Sequence, residues 1–243
     1  MGSSRLPGKV MIEVAGRPLI GWQIARVRLA SCVDQIVVGT SISPENDQLE
    51  SYCEEQGVTV FRGSEDDVLS RISTIAALEP ESLMIELFGD SPLIDFRVIE
   101  QCVHNYHAST HPHTVSLNTL DRSFPGGMAC LAYKASDLLL LNSLVGNLDP
   151  LREHVGYNFR RFPGDFNLKS FHADLYQHAP ELHFEVDEEM DLMLISRLLG
   201  ELASESREIG FSVNQMIEYC RANTDIGLSN AQVERRYKKL DSQ

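Results

Sequence analysis

Basic residues are scarce in this chain, and their scarcity excludes several classes of partner. The 243 residues include 21 Lys and Arg against 35 Asp and Glu, which gives a formal net charge of −14 at pH 7. A surface of this charge repels nucleic acids and anionic membranes, so we expect neither as a partner. A polyphosphate ligand would therefore need a local cluster of cations, or metal ions, to hold it.

Long apolar runs and paired cysteines are missing as well. No run approaches the roughly 20 apolar residues that span a bilayer, and no basic and apolar leader opens the sequence. We therefore expect a cytoplasmic protein. The five cysteines show no C-x-x-C spacing and no His partner at a zinc-like separation. This pattern favours reduced thiols over a metal or disulfide role.

The first half of the chain alternates short apolar runs with helical segments. Residues 34–40, 58–63 and 82–89 are predicted strands, whereas residues 44–57 and 66–79 are predicted helices. Such alternation is typical of βαβ units. It predicts an α/β fold that is doubly wound around a mostly parallel sheet, with helices on both faces.

The second half is less regular. Its predicted elements are strands at 113–120 and 128–135, helices at 135–145 and 212–223, and a strand that runs into a long amphipathic helix over 183–202. Residues 160–173 look like an exposed connection, and residues 230–243 look like a solvated basic tail. We expect one domain, with residues 1–210 as its main part and residues 211–243 as a C-terminal helical extension.

The first candidate site is the opening stretch GSSRLPGK. Gly and Ser allow backbone N–H groups to point at phosphate oxygens, while Arg5 and Lys9 supply two positive charges four residues apart. The pattern is neither a Walker A loop nor a G-x-G-x-x-G turn. The letters MGSS also begin many expression tags, so a disordered start is the alternative interpretation.

Two aspartates follow apolar runs that read as strands. Asp90 lies in LFGDSPLID, and Asp187 lies in HFEVDEEMDL with Asp191 one helical turn later. Ligands of parallel sheets bind at the carboxyl ends of the strands, so these carboxylates are placed to hold Mg²⁺ on a triphosphate. The alternative is that each aspartate only caps the helix that follows it.

Two further segments carry candidate ligands. In REHVGY (152–157), Arg152 suits bidentate binding of a carboxylate, and His154 suits a hydrogen bond to a sugar hydroxyl. In FRGSEDDVLSR (61–71), Ser64 and Asp66 precede a helix. The alternatives are a surface ion pair beside a buried imidazole for the first segment, and helix capping for the second.

Together these segments resemble one family. In this order, GSSRLPGKVM, DQIVVGTSISPEND, VFRGSEDDVLSR, GDSPLID, REHV and EVDEEMDL resemble the cytidylyltransferases of the spore-coat polysaccharide type, relatives of the acylneuraminate and 3-deoxy-manno-octulosonate (Kdo) cytidylyltransferases. The resemblance covers nearly the whole chain. It implies a Rossmann-like nucleotidyltransferase fold that joins a nucleoside triphosphate, usually CTP, to a sugar acid for surface polysaccharide or glycan synthesis.

The resemblance also implies roles for single residues and a homodimeric assembly. The catalytic residues would be Arg5, Lys9 and Asp90, and the Mg²⁺ ligands would be Asp90 and Asp187. The nucleotide would be bound by Ser3, Ser4, Arg5, Lys9, Thr40, Ser64 and Arg71. The sugar would be bound by Arg152, Glu153, His154 and Tyr157.

Two departures from the family pattern raise alternatives. Relatives typically carry a strand ending in Q-A-R before M-G-S, so we expect this chain to lack the first, central strand, through a misplaced start or a truncation. Where relatives read P-D-G-L-D-V-E-V, this chain reads PGGMACLA, so Ala129 and Leu131 replace two carboxylates. One alternative is a weakened homologue that binds nucleotide or a partner enzyme without turnover. Another is a GTP- or UTP-dependent sugar nucleotidyltransferase.

Overall fold

The N-terminal part of the protein forms a small hairpin that leads into the first helix. The computed structural model describes residues 5–206 and 209–235. Strands β1 (Glu13–Val14) and β2 (Arg17–Pro18) pair antiparallel around Ala15 and Gly16, whose φ angles are 49° and 77°. Two consecutive positive φ angles are what a tight two-residue hairpin turn requires. Helix α1 (Leu19–Val27) follows directly.

A parallel βαβ unit comes next, close to where the sequence predicts it. Strand β3 (Val37–Ser41) and strand β4 (Thr59–Gly63) pair in parallel across helix α2 (Asp47–Glu55). Helix α3 (Val68–Ala76) then presents Leu69 and Ala76 to the interior. These four elements confirm the predictions for residues 34–79, because their apolar positions carry the periods of a strand or a helix.

The larger sheet has four strands in the order β5-β7-β6-β8. These are β5 (Leu83–Glu86), β6 (Thr114–Leu117), β7 (Leu131–Lys134) and β8 (Asn167–Ser170). The α/β class is confirmed, and the sheet is mixed, since β7 runs antiparallel to both of its neighbours while β6 and β8 are parallel. Among the described residues β3 pairs only with β4 and β5 only with β7, so the hydrogen-bonded sheet has two parts.

Helices cover these sheets and close the core. They are α4 (Phe96–His107), α5 (Ala135–Leu144), α6 (Val155–Asn158), α7 (Glu189–Ser206), α8 (Val213–Ala222) and α9 (Thr224–Gly227). The main core lies between α1, α4, α7, α8 and the larger sheet, and a second core lies between α3, α5 and that sheet. Within the described ranges, no helix is long and apolar enough to cross a bilayer.

Three sequence predictions in the second half are wrong. Residues 160–173 are not a plain exposed connection, because they contain β8, which pairs with β6. Residues 183–186 are extended but form no named strand among the described residues: an isolated bridge links His183 to Gly126, and the N–H of Val186 donates to the carbonyl of Asp90. Residues 230–235 are partly packed rather than solvated, because Asn230, Val233 and Arg235 are buried, and residues 236–243 of the predicted tail lie outside the described residues. Each error reflects a long-range contact, which sequence periodicity does not report.

Candidate active site

The loop at the start of the described chain gathers two cations on one carboxylate. Gly8 adopts φ 67° and begins a short 3-10 turn over Lys9–Met11, so the chain reverses between Arg5 and Lys9. Arg5 Nη2 lies 2.8 Å from Asp187 Oδ2, and Lys9 Nζ lies 2.9 Å from Asp187 Oδ1. Arg5 Nη1 also donates to Glu188 Oε1 at 3.0 Å. The other two residues predicted in this loop, Ser3 and Ser4, lie outside the described residues.

Asp90 and Asp187 approach the same ammonium group. The backbone N–H of Val186 donates to the carbonyl of Asp90 at 2.8 Å, which joins the two segments. Lys9 Nζ lies 3.9 Å from Asp90 Oδ2, in addition to its contact with Asp187. The alternative interpretation of Asp90 as a helix cap is wrong, because the N-cap of α4 is Asp95, whose side chain accepts from the N–H of Arg97. We call Arg5, Lys9, Asp90 and Asp187 the charged centre.

Burial and charge shift the pKa values of the two aspartates in opposite directions. Burial raises the pKa of Asp90 above its usual value, with help from the neighbouring Asp187 and Glu185, while Lys9 opposes the shift. Burial also acts to raise the pKa of Asp187, but Lys9, Arg5 and Arg235 outweigh it and lower that pKa. Asp187 is therefore held as a carboxylate, and two cations balance it.

Asp191 is not part of the open charged centre. Its side chain is fully buried, and Oδ2 accepts from the N–H groups of Asp187 and Glu188 at 2.9 Å each. Arg235 Nη2 donates to Asp191 Oδ1 at 2.6 Å. Protein donors surround the carboxylate, and Asp191 thereby holds the backbone that carries Asp187.

A cavity of about 680 Å³ is lined by residues adjacent in sequence to Lys9 and Asp90, although none of the four residues of the charged centre lines it. The residues next to the catalytic candidates in sequence, Val10 and Gly89, belong to its wall. Thr40, at the carboxyl end of β3, also lines it. Ligands of open α/β sheets bind at this end of the strands, and the volume suits a small organic ligand. Further polar lining comes from Ser41 and Asn46, from the start of α3 and from residues 147–153.

Arg71 lines this cavity, whereas the side chain of Ser64 forms a hydrogen bond at the start of α3. Arg71 Nη1 donates to the carbonyl of Ser64, and burial lowers the pKa of the guanidinium. Its Nε is buried and has no partner among the described residues. Asp67 is the N-cap of α3, and Ser64 Oγ accepts from its N–H at 3.1 Å. Capping thus accounts for Ser64, as the alternative interpretation holds, but the capping carboxylate is Asp67 and not Asp66.

Arg152 lies in the cavity wall as part of a buried ion pair. Its Nε donates to Asp67 Oδ2 at 2.8 Å, Nη1 donates to the carbonyl of Val145 at 3.0 Å, and Nη2 donates to Asn142 Oδ1 at 2.6 Å. The guanidinium of Arg152, which the sequence predicts to bind a sugar carboxylate, therefore binds groups of the protein itself. The alternative of a surface ion pair is also wrong, because only 6% of the Arg152 side chain is exposed. Arg152 ties the 145–153 segment to α3.

The other predicted sugar ligands divide between the cavity and the neighbouring helix. Glu153 is exposed and lines the cavity. His154 precedes α6, and its carbonyl accepts from Asn158 Nδ2 at 3.0 Å. Tyr157 lies in α6 with its ring 5.6 Å from the Arg160 guanidinium carbon. His154 and Tyr157 are not among the described lining residues, so the structure does not bring the whole REHVGY segment to one surface.

The donor set around the charged centre suits a magnesium ion that also binds substrate oxygens. Within the described ranges, no group of three or more His, Cys, Asp or Glu side chains is arranged to hold a metal by itself. Asp90 and Asp187 instead flank one cation, the Lys9 ammonium. Magnesium typically uses one or two carboxylates together with phosphate oxygens and water. Two carboxylates facing one cation position fit that requirement.

Sequence reasoning missed several residues that support this site. Glu185 and Arg235 are buried next to Asp187, and Asn230 donates to Asp191 Oδ1 at 2.7 Å. The alternation of apolar residues in HFEVD could have indicated that Glu185 shares an orientation with His183 and Asp187. No local signal marks Arg235, because it lies in a highly charged stretch that reads as solvated.

Comparisons with known proteins agree on one family. A family model described as cytidylyltransferase matches residues 1–223. The spore coat polysaccharide biosynthesis protein SpsF of Bacillus subtilis is 30% identical over 230 residues, which cover 93% of this chain and 92% of that protein. A cytidylyltransferase structure from Leptospira borgpetersenii superposes with a TM-score of 0.86 at 24% identity, over 97% of this chain and 95% of the other.

A more distant structure, a CMP:2-keto-3-deoxy-manno-octonic acid synthetase complexed with CTP, superposes with a TM-score of 0.62 at 18% identity, over 83% of this chain and 95% of the other. At these identities the two structures establish the fold alone. The predicted Rossmann-like nucleotidyltransferase fold is confirmed.

Proposed function

This chain belongs to the cytidylyltransferase family, and from that premise we propose that it transfers the CMP group of CTP to a sugar acid and releases pyrophosphate. The product would be an activated sugar for surface polysaccharide or glycan synthesis. Two similarities support this substrate pair: the relative named for spore coat polysaccharide biosynthesis, and the synthetase of a sugar acid whose structure contains CTP.

One observation carries the proposal: Lys9 and Asp90 of the charged centre are each adjacent in sequence to a residue that lines a cavity of suitable size. Lys9 Nζ faces both Asp90 and Asp187, and the adjacent residues Val10 and Gly89 line the cavity. A nucleoside in the cavity would therefore place its phosphates beside Arg5 and Lys9. The local cations supply what the acidic chain as a whole lacks, which is an attraction for a polyphosphate.

The reaction needs little covalent chemistry from the protein. A hydroxyl oxygen of the sugar acid forms a bond to the α-phosphorus of CTP, while the bond from that phosphorus to the bridging oxygen breaks. Pyrophosphate leaves with the electron pair, and the hydroxyl proton passes to solvent. Positioning and charge stabilisation account for most of the rate in such transfers. We assign the binding of the leaving pyrophosphate to Arg5 and Lys9.

Asp90 and Asp187 would hold Mg²⁺ together with the phosphate oxygens of the substrate. When bound, the ion would neutralise the charge that builds on the leaving group. The protein's own part is to keep both carboxylates ionised and aimed at one point. The lowered pKa of Asp187 supports this role directly. The raised pKa of Asp90 falls when a second cation replaces or joins Lys9 beside it.

Thr40 and Arg71 lie where the nucleoside would contact the wall, since both line the cavity. The acceptor sugar would approach from the 147–153 side, where Glu153 is exposed. Arg152 would shape this side through its contacts with Asp67 and Val145 rather than bind the sugar carboxylate itself.

The test is a binding panel followed by a turnover assay. Thermal unfolding is measured with CTP, GTP, UTP and ATP, each with and without Mg²⁺. A ligand at 100 times its Kd stabilises the folded protein by about 2.7 kcal/mol. We expect a shift with CTP that requires Mg²⁺, and pyrophosphate release when a sugar acid is added. A selective shift with GTP or UTP would move the assignment to the other sugar nucleotidyltransferases.

A second candidate is a protein that binds nucleotide without turnover. It is favoured by the apolar residues at the two positions where relatives carry carboxylates, because Leu131 is buried in the core and cannot bind a substrate. The division of the sheet into two hydrogen-bonded parts also favours a protein without turnover. A CTP shift without pyrophosphate release for any sugar acid would support this candidate.

Two expectations from the sequence stay predictions. We expect a homodimer, which light scattering at micromolar concentration tests, and a single scattering mass of 27.2 kDa would contradict it. We also expect a cytoplasmic location, which fractionation of cells tests.

A further inference from the structure

Arg235 is a charged side chain that is buried, and its burial needs an explanation. Only 1% of the residue is exposed, although it lies in a stretch that reads as a solvated tail. A buried guanidinium is tolerated only when carboxylates and hydrogen bonds compensate for its lost hydration. The partners of Arg235 therefore show what the chain gains from burying it.

The principal partner is Asp191, which holds the backbone of a candidate metal ligand. Arg235 donates to both oxygens of Asp191, from Nη2 to Oδ1 at 2.6 Å and from Nη1 to Oδ2 at 3.1 Å. Asp191 Oδ2 also accepts from the N–H groups of Asp187 and Glu188. The orientation of Asp191, and with it the position of Asp187, is therefore fixed by Arg235.

Arg235 also contributes charge to the same group of carboxylates. Its Nη1 lies 3.9 Å from Asp187 Oδ2, and its Nε lies 3.5 Å from Glu185 Oε1. Glu185 and Arg235 are both buried, and no other described guanidinium or ammonium group is paired with Glu185. The positive charge thus balances three carboxylates that would otherwise repel one another.

The segment around Arg235 reaches the other half of the charged centre as well. Arg5 Nη1 donates to the carbonyl of Glu234 at 2.7 Å. Asn230, at the other end of the segment, donates to the carbonyl of His183 at 2.9 Å and to Asp191 Oδ1 at 2.7 Å. Residues 230–235 therefore contact both Arg5, from the opening loop, and the 183–191 segment. We call these six residues the C-terminal strap.

We propose that the C-terminal strap holds Arg5 and Asp187 in the geometry that binds the metal-bound triphosphate, with Arg235 as the positioning residue. This inference rests on the proposed function, because it concerns the ligand of the same site. Arg235 acts through Asp191 and does not touch the substrate. Removing such an outer partner of a metal ligand typically costs 10-fold to 100-fold in metal affinity or activity.

The experiment compares Arg235→Met, Arg235→Lys and the control Arg221→Met in the full chain. Arg221 lies near the end of α8, where it donates to the carbonyl of His178, and among the described residues it forms no hydrogen bond or ion pair with the charged centre. Titration calorimetry measures the affinity for CTP with and without Mg²⁺. Hydrogen exchange measures the protection of the Asp187 and Glu188 amides, which donate to Asp191.

For Arg235→Met we expect at least 10-fold weaker binding of CTP in the presence of Mg²⁺, a smaller change without Mg²⁺, and at least 10-fold faster exchange of the two amides. Arg221→Met should match the wild type. Arg235→Lys keeps the positive charge but loses the two-pronged hydrogen bonding to Asp191, so we expect an intermediate loss of CTP affinity. If Arg235→Met does not fold, the result for Arg235→Lys tests the proposal. Wild-type affinity in the folded Arg235 variants would overturn the proposal.

The outcome also separates this proposal from the proposed function. If the wild type binds none of the four nucleotides, the proposed function fails, and the exchange of the Asp187 and Glu188 amides alone decides the role of the strap. Unchanged exchange in both Arg235 variants would then overturn it.

Discussion

The charged centre and the Arg152–Asp67 pair both join cations to carboxylates, but they use these groups differently. Arg152 donates hydrogen bonds to Asp67, to a backbone carbonyl and to the side-chain amide of Asn142. Asp67 also caps α3. In the charged centre, Asp90 has Lys9 at 3.9 Å and 35% of its side chain exposed. The first pair is closed and fixes a wall. The second is open on one side and can take an additional cation and a phosphate.

This comparison teaches that residue type does not separate a structural ion pair from a functional one. Arg152 on the cavity wall looks like a ligand in the sequence, and the structure places it in a tight internal contact with Asp67. The useful distinction is how many partners the protein itself supplies to each group. Three substitutions test the distinction, from the largest expected effect to the smallest.

Asp187→Ala should abolish activity. The change removes a proposed metal ligand and the shared partner of Arg5 and Lys9, and we expect turnover to fall by about 10³-fold or more, which corresponds to about 4 kcal/mol of transition-state stabilisation. The measurement is pyrophosphate release at saturating CTP and Mg²⁺. Asp47→Ala is the matched control, since Asp47 forms a largely exposed ion pair with Arg62. Full Mg²⁺-dependent turnover in Asp187→Ala would refute the metal assignment.

Arg152→Met should reduce stability more than substrate binding. Breaking a buried ion pair from one side costs about 3–5 kcal/mol, and we expect about 3 kcal/mol because Asp67 is partly exposed. Urea unfolding measures this loss, and Lys134→Met, in an exposed pair with Glu81, should lose far less stability because solvent screens that pair. Unchanged stability together with a lost affinity for the sugar acid would instead restore the sugar-binding role that the sequence suggests.

Glu86 extends the comparison to a carboxylate that has no cation partner. Tyr133 donates to Glu86 Oε2 at 2.7 Å, yet burial dominates and raises the pKa of Glu86 from 4.5 to about 7. The folded protein therefore binds this proton more tightly than the unfolded chain does. Its contribution to stability is complete below pH 4.5 and is lost as the pH rises to about 7, by roughly 2–3 kcal/mol.

Glu86→Gln should remove that pH dependence. The amide stays neutral, so the variant should be more stable than the wild type at pH 8 and similar to it at pH 5. Urea unfolding at pH 5, 6, 7 and 8 measures the difference. If both proteins lose stability equally between pH 5 and pH 8, then Glu86 does not titrate in this range.

The sequence predicted the first half of the fold closely because its signals are local. Apolar residues with a period of two gave β3, β4 and β5, and the capping and periodicity of α2 and α3 gave the helices between them. The antiparallel direction of β7 and the existence of β8 escaped prediction. Both depend on which strand pairs with which, and four-residue strands carry little information about their partners.

The candidate site likewise contains features that the sequence predicted and features that only the structure shows. Motifs placed Arg5, Lys9, Asp90 and Asp187 in one site, and the structure brings them together. The sequence also suggested Arg152 as a ligand of a carboxylate, although its donors are occupied by Asp67, a backbone carbonyl and Asn142. A spacing reports what a residue is able to bind, whereas the neighbours that satisfy it come from distant parts of the chain.

The sequence by itself determined the α/β class, the family and the identity of the charged groups that we propose for the phosphates, since periodicity and motif spacing are properties of short segments. Only the tertiary structure decided that Lys9 lies between two carboxylates 81 and 178 positions away, and that Arg235 is buried against Asp191. Burial decides these roles, because a charge removed from water must be paired, and its partner is chosen by packing rather than by sequence distance.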